Sequence, residues 1–247
     1  LSSTRLKCYN LFARLKHGEE EAYSDVETLW NVAKSQPRAC DPVFKRWQDQ
    51  GLLTPELAWS RHSKALKKRK RQLARYLVRF MPEEQQKLAT LYQKVDRYPT
   101  EILRYRSFQK QSPEMQEIIL HGIARLARRD SQKAYTAWTH YDAQQLFDDT
   151  ARTLAQEDLI VRLARKEHHP EVQALLQNSS ALGDNVTEIL LRAALHAQQW
   201  PEVYHWLQML PADAQQSERW RYWRARATEE LQLAVPKHSS PKQIYNS

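Results

Sequence analysis

A chain of 247 residues with 41% hydrophobic content can bury a core, as one elongated domain or two compact ones, and its 4 glycines are too few for the turns and bulges of a β-rich fold. A mean hydropathy of -0.78 beside 8 Trp, 11 Tyr and 5 Phe excludes a disordered chain and fits an elongated helical array with much surface. A formal net charge of +9 permits an anionic partner (nucleic acid, an anionic lipid surface or an acidic polymer) without choosing among them, and no stretch approaches the roughly 20 uncharged apolar residues of a membrane span.

In chain order, apolar spacing and helix punctuation predict helices over 4 to 17, 20 to 35, 42 to 50, 55 to 68, 70 to 80, 83 to 97, 100 to 109 and 113 to 128. They continue over 131 to 141, 143 to 156, 158 to 167, 170 to 178, 185 to 197, 200 to 209 and 217 to 232. Asp41-Pro42, Thr54-Pro55 and Ser112-Pro113 each place a side-chain cap before a proline whose missing N–H costs nothing at the first helical position. Gly18 and Gly51 stand where a left-handed residue would end a helix, and Pro37, Pro82, Pro99, Pro170 and Pro211 interrupt the apolar period. Between the breaks, sets such as Leu88, Leu91, Tyr92 and Val95, or Ile119, Ile123 and Leu126, mark one buried stripe per helix.

Four helix-turn-helix joints resemble one another: Leu11 to Leu15 into Val26 and Trp30, Ala65-Leu66 into Leu73 and Leu77, Leu126-Ala127 into Ala134 and Trp138, and Ala194-Leu195 into Val203 and Trp206. The period drifts, so the expectation is a degenerate all-α solenoid of stacked antiparallel hairpins, similar in style to tetratricopeptide arrays. Residues 1 to 233 make up this region, and 234 to 247, polar and without periodicity, read as a disordered tail.

The two cysteines leave two readings open. Cys8 lies near the start of the first predicted helix and Cys40 just after the second, which brings the chain back to the level of Cys8. They are either a disulfide, worth roughly 3 to 4 kcal/mol in the chain-entropy model and at home in an oxidising compartment, or two unrelated buried thiols.

Lys64, Lys67, Lys68, Arg69, Lys70 and Arg71 form the densest basic run, with Arg75 and Arg79 beyond it. Such a run could neutralise the charges of an anionic polymer, but no nucleic-acid motif surrounds it, and a solvated hairpin turn is the plainer reading. Arg125, Arg128 and Arg129 suit the end of a helix, where cations meet the macrodipole. Glu167-His168-His169 is a poor metal site, because adjacent helical side chains diverge by about 100°. The other histidines lack a zincin spacing. There is no glycine-rich phosphate loop, no G-x-S-x-G and no cysteine in a His-paired nucleophile context, so neither a cofactor nor a catalytic constellation is expected. Trp220 and Trp223, set among Arg219, Arg221, Arg224 and Arg226, read as helix packing, with arginine or sugar stacking as the lesser reading.

Two stretches carry a more specific signal. Gln36-Pro37-Arg38-Ala39-Cys40-Asp41-Pro42-Val43-Phe44, followed by Trp47, Gly51-Leu52-Leu53-Thr54, Leu57-Ala58-Trp59 and Arg61, resembles the superhelical domain of soluble lytic murein transglycosylases. Glu218 to Ala227 resembles a later part of the same domain, in the right sequential order. Over residues 1 to 233 the resemblance implies a right-handed superhelix of helical hairpins, periplasmic export, a Cys8 to Cys40 bridge and peptidoglycan as partner. In that family such a domain precedes a lysozyme-like domain that cleaves the MurNAc to GlcNAc linkage.

The departures are equally informative. No Glu-Ser dipeptide, the family's catalytic signature, occurs anywhere in the chain, so no catalytic acid is assigned. The family's first helices and the match after Leu233 are also lacking, which points to a chain without its catalytic domain. The other class consistent with the residues is a helical-repeat adaptor that binds protein or nucleic acid through its basic face.

Overall fold

The computed structural model describes residues 3–166, 169–177 and 183–233. The predicted tail and the Glu167-His168 pair lie outside the described residues, as does the side chain of His169. The described residues are all-α, without a strand, and the chain divides into two compact units, Leu1–Gly122 and Ile123–Ser247.

The first unit contains α1 (Thr4–Lys16), α2 (Ala22–Trp30), α3 (Asp41–Asp49), α4 (Pro55–Lys67), α5 (Arg71–Leu77), α6 (Glu83–Arg97) and most of α7 (Pro113–Ala127). The second holds the end of α7, then α8 (Ser131–Asp142), α9 (Asp149–Ala164), α10 (His169–Gln177), α11 (Asp184–His196), α12 (Trp200–Met209), α13 (Ala212–Gln215) and α14 (Glu218–Glu230). Neighbouring helices pack as hairpins across short turns, with α4 on α5 and α11 on α12 as the most extensive pairs.

The punctuation acts largely as its chemistry predicts. Thr54 Oγ1 accepts from the Leu57 amide at 3.3 Å and Ser112 Oγ from the Met115 amide at 3.3 Å, while Gly18 and Gly51 take φ of 86° and 71°. Asp41 departs from expectation: it is the first residue of α3, and no side-chain cap is made there.

Four predicted helices are corrected. The helix predicted over 20 to 35 stops at Trp30, because the carbonyls of Val32 and Lys34 are taken by Arg61 of α4 at 3.2 and 3.1 Å. The stretch 100 to 109 is two 3-10 segments, Pro99–Leu103 and Tyr105–Phe108; Pro99, Ile102 and Phe108 are its buried residues, a multiple-of-three spacing that suits three residues per turn. The pair predicted over 143 to 156 and 158 to 167 is one helix, α9. Gln145, at φ 53°, ends the preceding turn, Asp148 caps the Ala151 amide at 2.8 Å, and Gln156, Leu159, Ile160 and Leu163 continue one buried face without a break.

The core of the first unit gathers around a Cys8–Cys40 disulfide whose two cysteines are fully buried. Trp30 and Trp47 meet nearby with ring centroids 5.4 Å apart. The bridge joins α1 to the 3-10 turn Arg38–Cys40 across 32 residues. In the second unit Trp138 stacks on Phe147 at 5.4 Å and 11°, and Val203, Leu207, Leu190 and Leu191 fill the α11–α12 hairpin. Trp220 is buried with Arg219 lying 4.1 Å over its ring, so packing and arginine stacking coexist there.

Helix α7 approaches α6 and the Pro99–Leu103 segment at Gly122. A Cβ at this position would lie 2.8 Å from Val95 Cγ1 and overlap Ile102. Gly122→Ala is expected to lower stability by about 1 to 3 kcal/mol in chemical denaturation, despite the better helix propensity of alanine. For the disulfide, a thiol assay should find no reactive cysteine in the native protein. The double change Cys8→Ala, Cys40→Ala should lower unfolding free energy by roughly 3 to 4 kcal/mol.

Candidate functional site

Between α4, α6 and α7 lies a buried cluster of polar and aromatic side chains. Glu117 of α7 accepts from Trp59 Nε1 at 2.9 Å, from Ser63 Oγ and from Lys67 Nζ at 2.6 Å, all on α4. Burial pushes the Glu117 carboxyl up, but Lys67, Ser63 and Trp59 together outweigh it and hold the group below its ordinary value. One turn further along α7, His121 Nε2 meets Asp96 Oδ1 at 3.1 Å, and Arg71 Nε reaches Asp96 Oδ2 at 2.7 Å.

His62 is fully buried between Trp59 and Tyr92, with ring centroids at 5.8 and 5.6 Å. Gln93 Nε2 lies 3.2 Å from His62 Nε2, which makes that nitrogen the acceptor and puts the proton on Nδ1, where it finds no hydrogen-bond partner. Burial lowers the His62 pKa to about 4, against a smaller opposing pull from Glu117. Burial likewise pushes the Tyr92 phenol up. His62, Tyr92 and Asp96 each have 0% exposure, so no reactant reaches them. This acid–histidine–tyrosine grouping acts as a clamp between helices.

The predicted basic run is sorted by its partners. Lys67 and Arg71 belong to the clamp, and Lys64 Nζ donates to the Asn31 carbonyl at 3.1 Å. Lys68, Arg69 and Lys70, between α4 and α5, are exposed and, among the described residues, form no ion pair. Arg69 takes the left-handed conformation, φ 59°, and the turn is closed by Lys70 N to Ala65 O and Arg69 N to Leu66 O, both 2.8 Å. The same closure recurs at Gln198 and Gln232.

A second basic region was only half visible beforehand. Arg128 and Arg129 of the α7–α8 turn meet Arg162, Arg165 and Lys166 of α9 around a cleft of about 310 Å³. Arg125 stands apart from that cleft's lining. The signal for α9 was present in the sequence as three cations within five positions, but only packing brings it to Arg128. No group of three or more metal-binding side chains gathers among the described residues, and no helix there is long and apolar enough to cross a membrane.

The soluble lytic murein transglycosylase of Escherichia coli is 26% identical over 228 residues, 90% of this chain and 35% of that protein. Its counterpart in Salmonella typhimurium is 25% identical over the same length. The structure of an inactive mutant of the lytic transglycosylase Slt from Pseudomonas aeruginosa superimposes with a TM-score of 0.79 at 31% identity, over 99% of this chain and 39% of that one. The chain is similar to soluble lytic murein transglycosylases along nine-tenths of its length. The 70 kDa enzyme of Escherichia coli, at 23% identity, shares the fold with a TM-score of 0.77. The chain spans about a third of the length of these curated transglycosylases, and no protein-family model matches it.

Because the folded His62 pKa lies near 4, below its unfolded value near 6.5, the unfolded chain binds the proton first as pH falls through that window. Stability should therefore decline from pH 6.5 to 4 by up to about 1.4 kcal/mol per pH unit from this group, and His62→Gln should flatten that part of the denaturation profile. Arg69→Gly should raise unfolding free energy by about 1 kcal/mol, since glycine adopts the left-handed conformation without Cβ strain.

Proposed function

We propose that residues 1–233 are the noncatalytic helical domain of a periplasmic lytic transglycosylase, holding anionic glycan strands during peptidoglycan turnover. The observation that carries this reading is the match to murein transglycosylases along nine-tenths of the chain, at 26% identity. The Cys8–Cys40 bridge supports an oxidising compartment. A net charge of +9 and the unpaired turn Lys68-Arg69-Lys70 suit a polymer bearing carboxylates on its peptide stems. The buried Asp96 and His62 are sealed from substrate, and no Glu-Ser dipeptide is present. In this reading cleavage of the MurNAc to GlcNAc linkage belongs to a lysozyme-like domain of the parent protein, with which this domain associates.

Incubation of the chain with purified murein sacculi tests the proposal. The expected result is co-sedimentation that weakens with salt, with no release of anhydro-muropeptides. Lys68→Gln combined with Lys70→Gln should lower the bound fraction several-fold without changing the thermal midpoint. Release of anhydro-muropeptides would overturn the noncatalytic assignment. Salt-dependent binding to DNA or RNA, with none to sacculi, would favour a nucleic-acid adaptor instead.

A further inference from the structure

In the second unit the α7–α8 turn and the C-terminal end of α9 border the cleft of about 310 Å³ lined by Arg128, Arg129, Arg162, Arg165 and Lys166. Asp130 also lines the cleft, and among the described residues it and the acids Asp158 and Glu171 are already engaged. Asp130 caps the Lys133 amide at 2.9 Å and pairs with Lys133 Nζ at 2.8 Å. Asp158 holds Arg162 through two bonds of 2.8 and 2.6 Å, and Glu171 accepts from the Gln132 amide at 2.7 Å. Arg128, Arg129, Arg165 and Lys166 are exposed and, among the described residues, make no ion pair.

Cations at the ends of α7 and α9 are favourable to each helix separately. That accounts for one or two of them at each end, but not for their gathering on a concave surface, where like charges repel and the field is focused rather than dispersed into solvent. The gathering is a cost in the free protein that an anionic ligand would remove. Guanidinium groups present paired donors that fit carboxylates two at a time. The cleft is at the small end of ligand sites, which suits a compact acid better than a nucleic-acid duplex or a membrane surface.

We propose that this cleft is a receptor for a peptide carrying two or more closely spaced carboxylates, the acidic stem borne on a glycan strand. The glycan as carrier rests on the function proposed above; the convergence of unpaired cations does not.

The test is calorimetric titration of the intact chain with a soluble disaccharide-peptide fragment of murein. The same fragment with its carboxylates amidated, and inorganic phosphate, serve as parallel probes. The double change Arg129→Gln, Arg165→Gln is expected to weaken binding of the acidic fragment at least tenfold and to leave the thermal midpoint equal or higher, because repulsion is relieved. Amidation should weaken binding to the unaltered protein by a similar factor. Equal binding by variant and unaltered protein would overturn the proposal, as would a lower thermal midpoint with unchanged affinity, which marks helix-end capping. Phosphate binding as tightly as the acidic fragment, and competing with it, would also overturn the assignment to carboxylate peptides.

Sacculus co-sedimentation run in parallel separates the two readings. A variant equal to the unaltered protein in both assays removes the cleft and leaves glycan holding intact. Binding of the free acidic fragment without co-sedimentation removes glycan holding and leaves the cleft.

Discussion

A carboxylate with a side chain 1% exposed ties together α5, α6 and α7 of the first unit. Removing one partner of such a buried charge costs about 3 to 5 kcal/mol, so Asp96 on α6 requires its donors in place. Arg71 brings the start of α5 to it and His121 brings α7. Glu117, one turn before His121, then takes up α4 through Trp59, Ser63 and Lys67. Four consecutive helices are thereby set in register by two acids. The same arrangement ties Lys67 and Arg71, on either side of the α4–α5 turn, to Glu117 and Asp96, and leaves Lys68, Arg69 and Lys70 without an ion pair among the described residues.

That partition explains why charge of one sign serves two purposes in this protein. Cations that meet a buried acid or a freed carbonyl are part of the architecture, as with Lys64, Lys67, Arg71 and Arg61. Arg61 also lies 4.4 Å over the Trp30 ring, and its burial lowers its pKa to about 10, still cationic at neutral pH. Among the exposed cations for which the described residues hold no ion pair are those of the turn 68 to 70 and of the α7–α8 and α9 ends. In both places they stand beside helix termini, where short turns present side chains outward.

The scarcity of glycine has a related consequence. A left-handed residue just after a helix lets the following amides satisfy its last carbonyls. Glycine supplies it at Gly18 and Gly51, whereas Arg69, Gln198 and Gln232 adopt it with a side chain attached. Each carries a conformational penalty of about 1 kcal/mol, offset by the paired backbone bonds that close the turn. Searching the sequence for glycine finds two of these endings and misses those where another residue takes the left-handed conformation.

By itself the sequence determined the all-α class, most helix positions and the family resemblance, because proline caps, apolar spacing and the ordered Cys, Trp and Gly positions act locally. The bridge was one of two open readings of the spacing; a buried, paired Cys8 and Cys40 depend on α1 and the Arg38–Cys40 turn meeting in space. The 3-10 segments around Ile102 and the unbroken α9 were decided by which face each stretch buries. Partnership was beyond the sequence altogether. Lys67 and Lys68 are adjacent and chemically identical, yet one is committed to Glu117, fifty positions away, and the other faces solvent. Charge is a property of the residue, but its availability to a ligand is a property of what packing brings beside it.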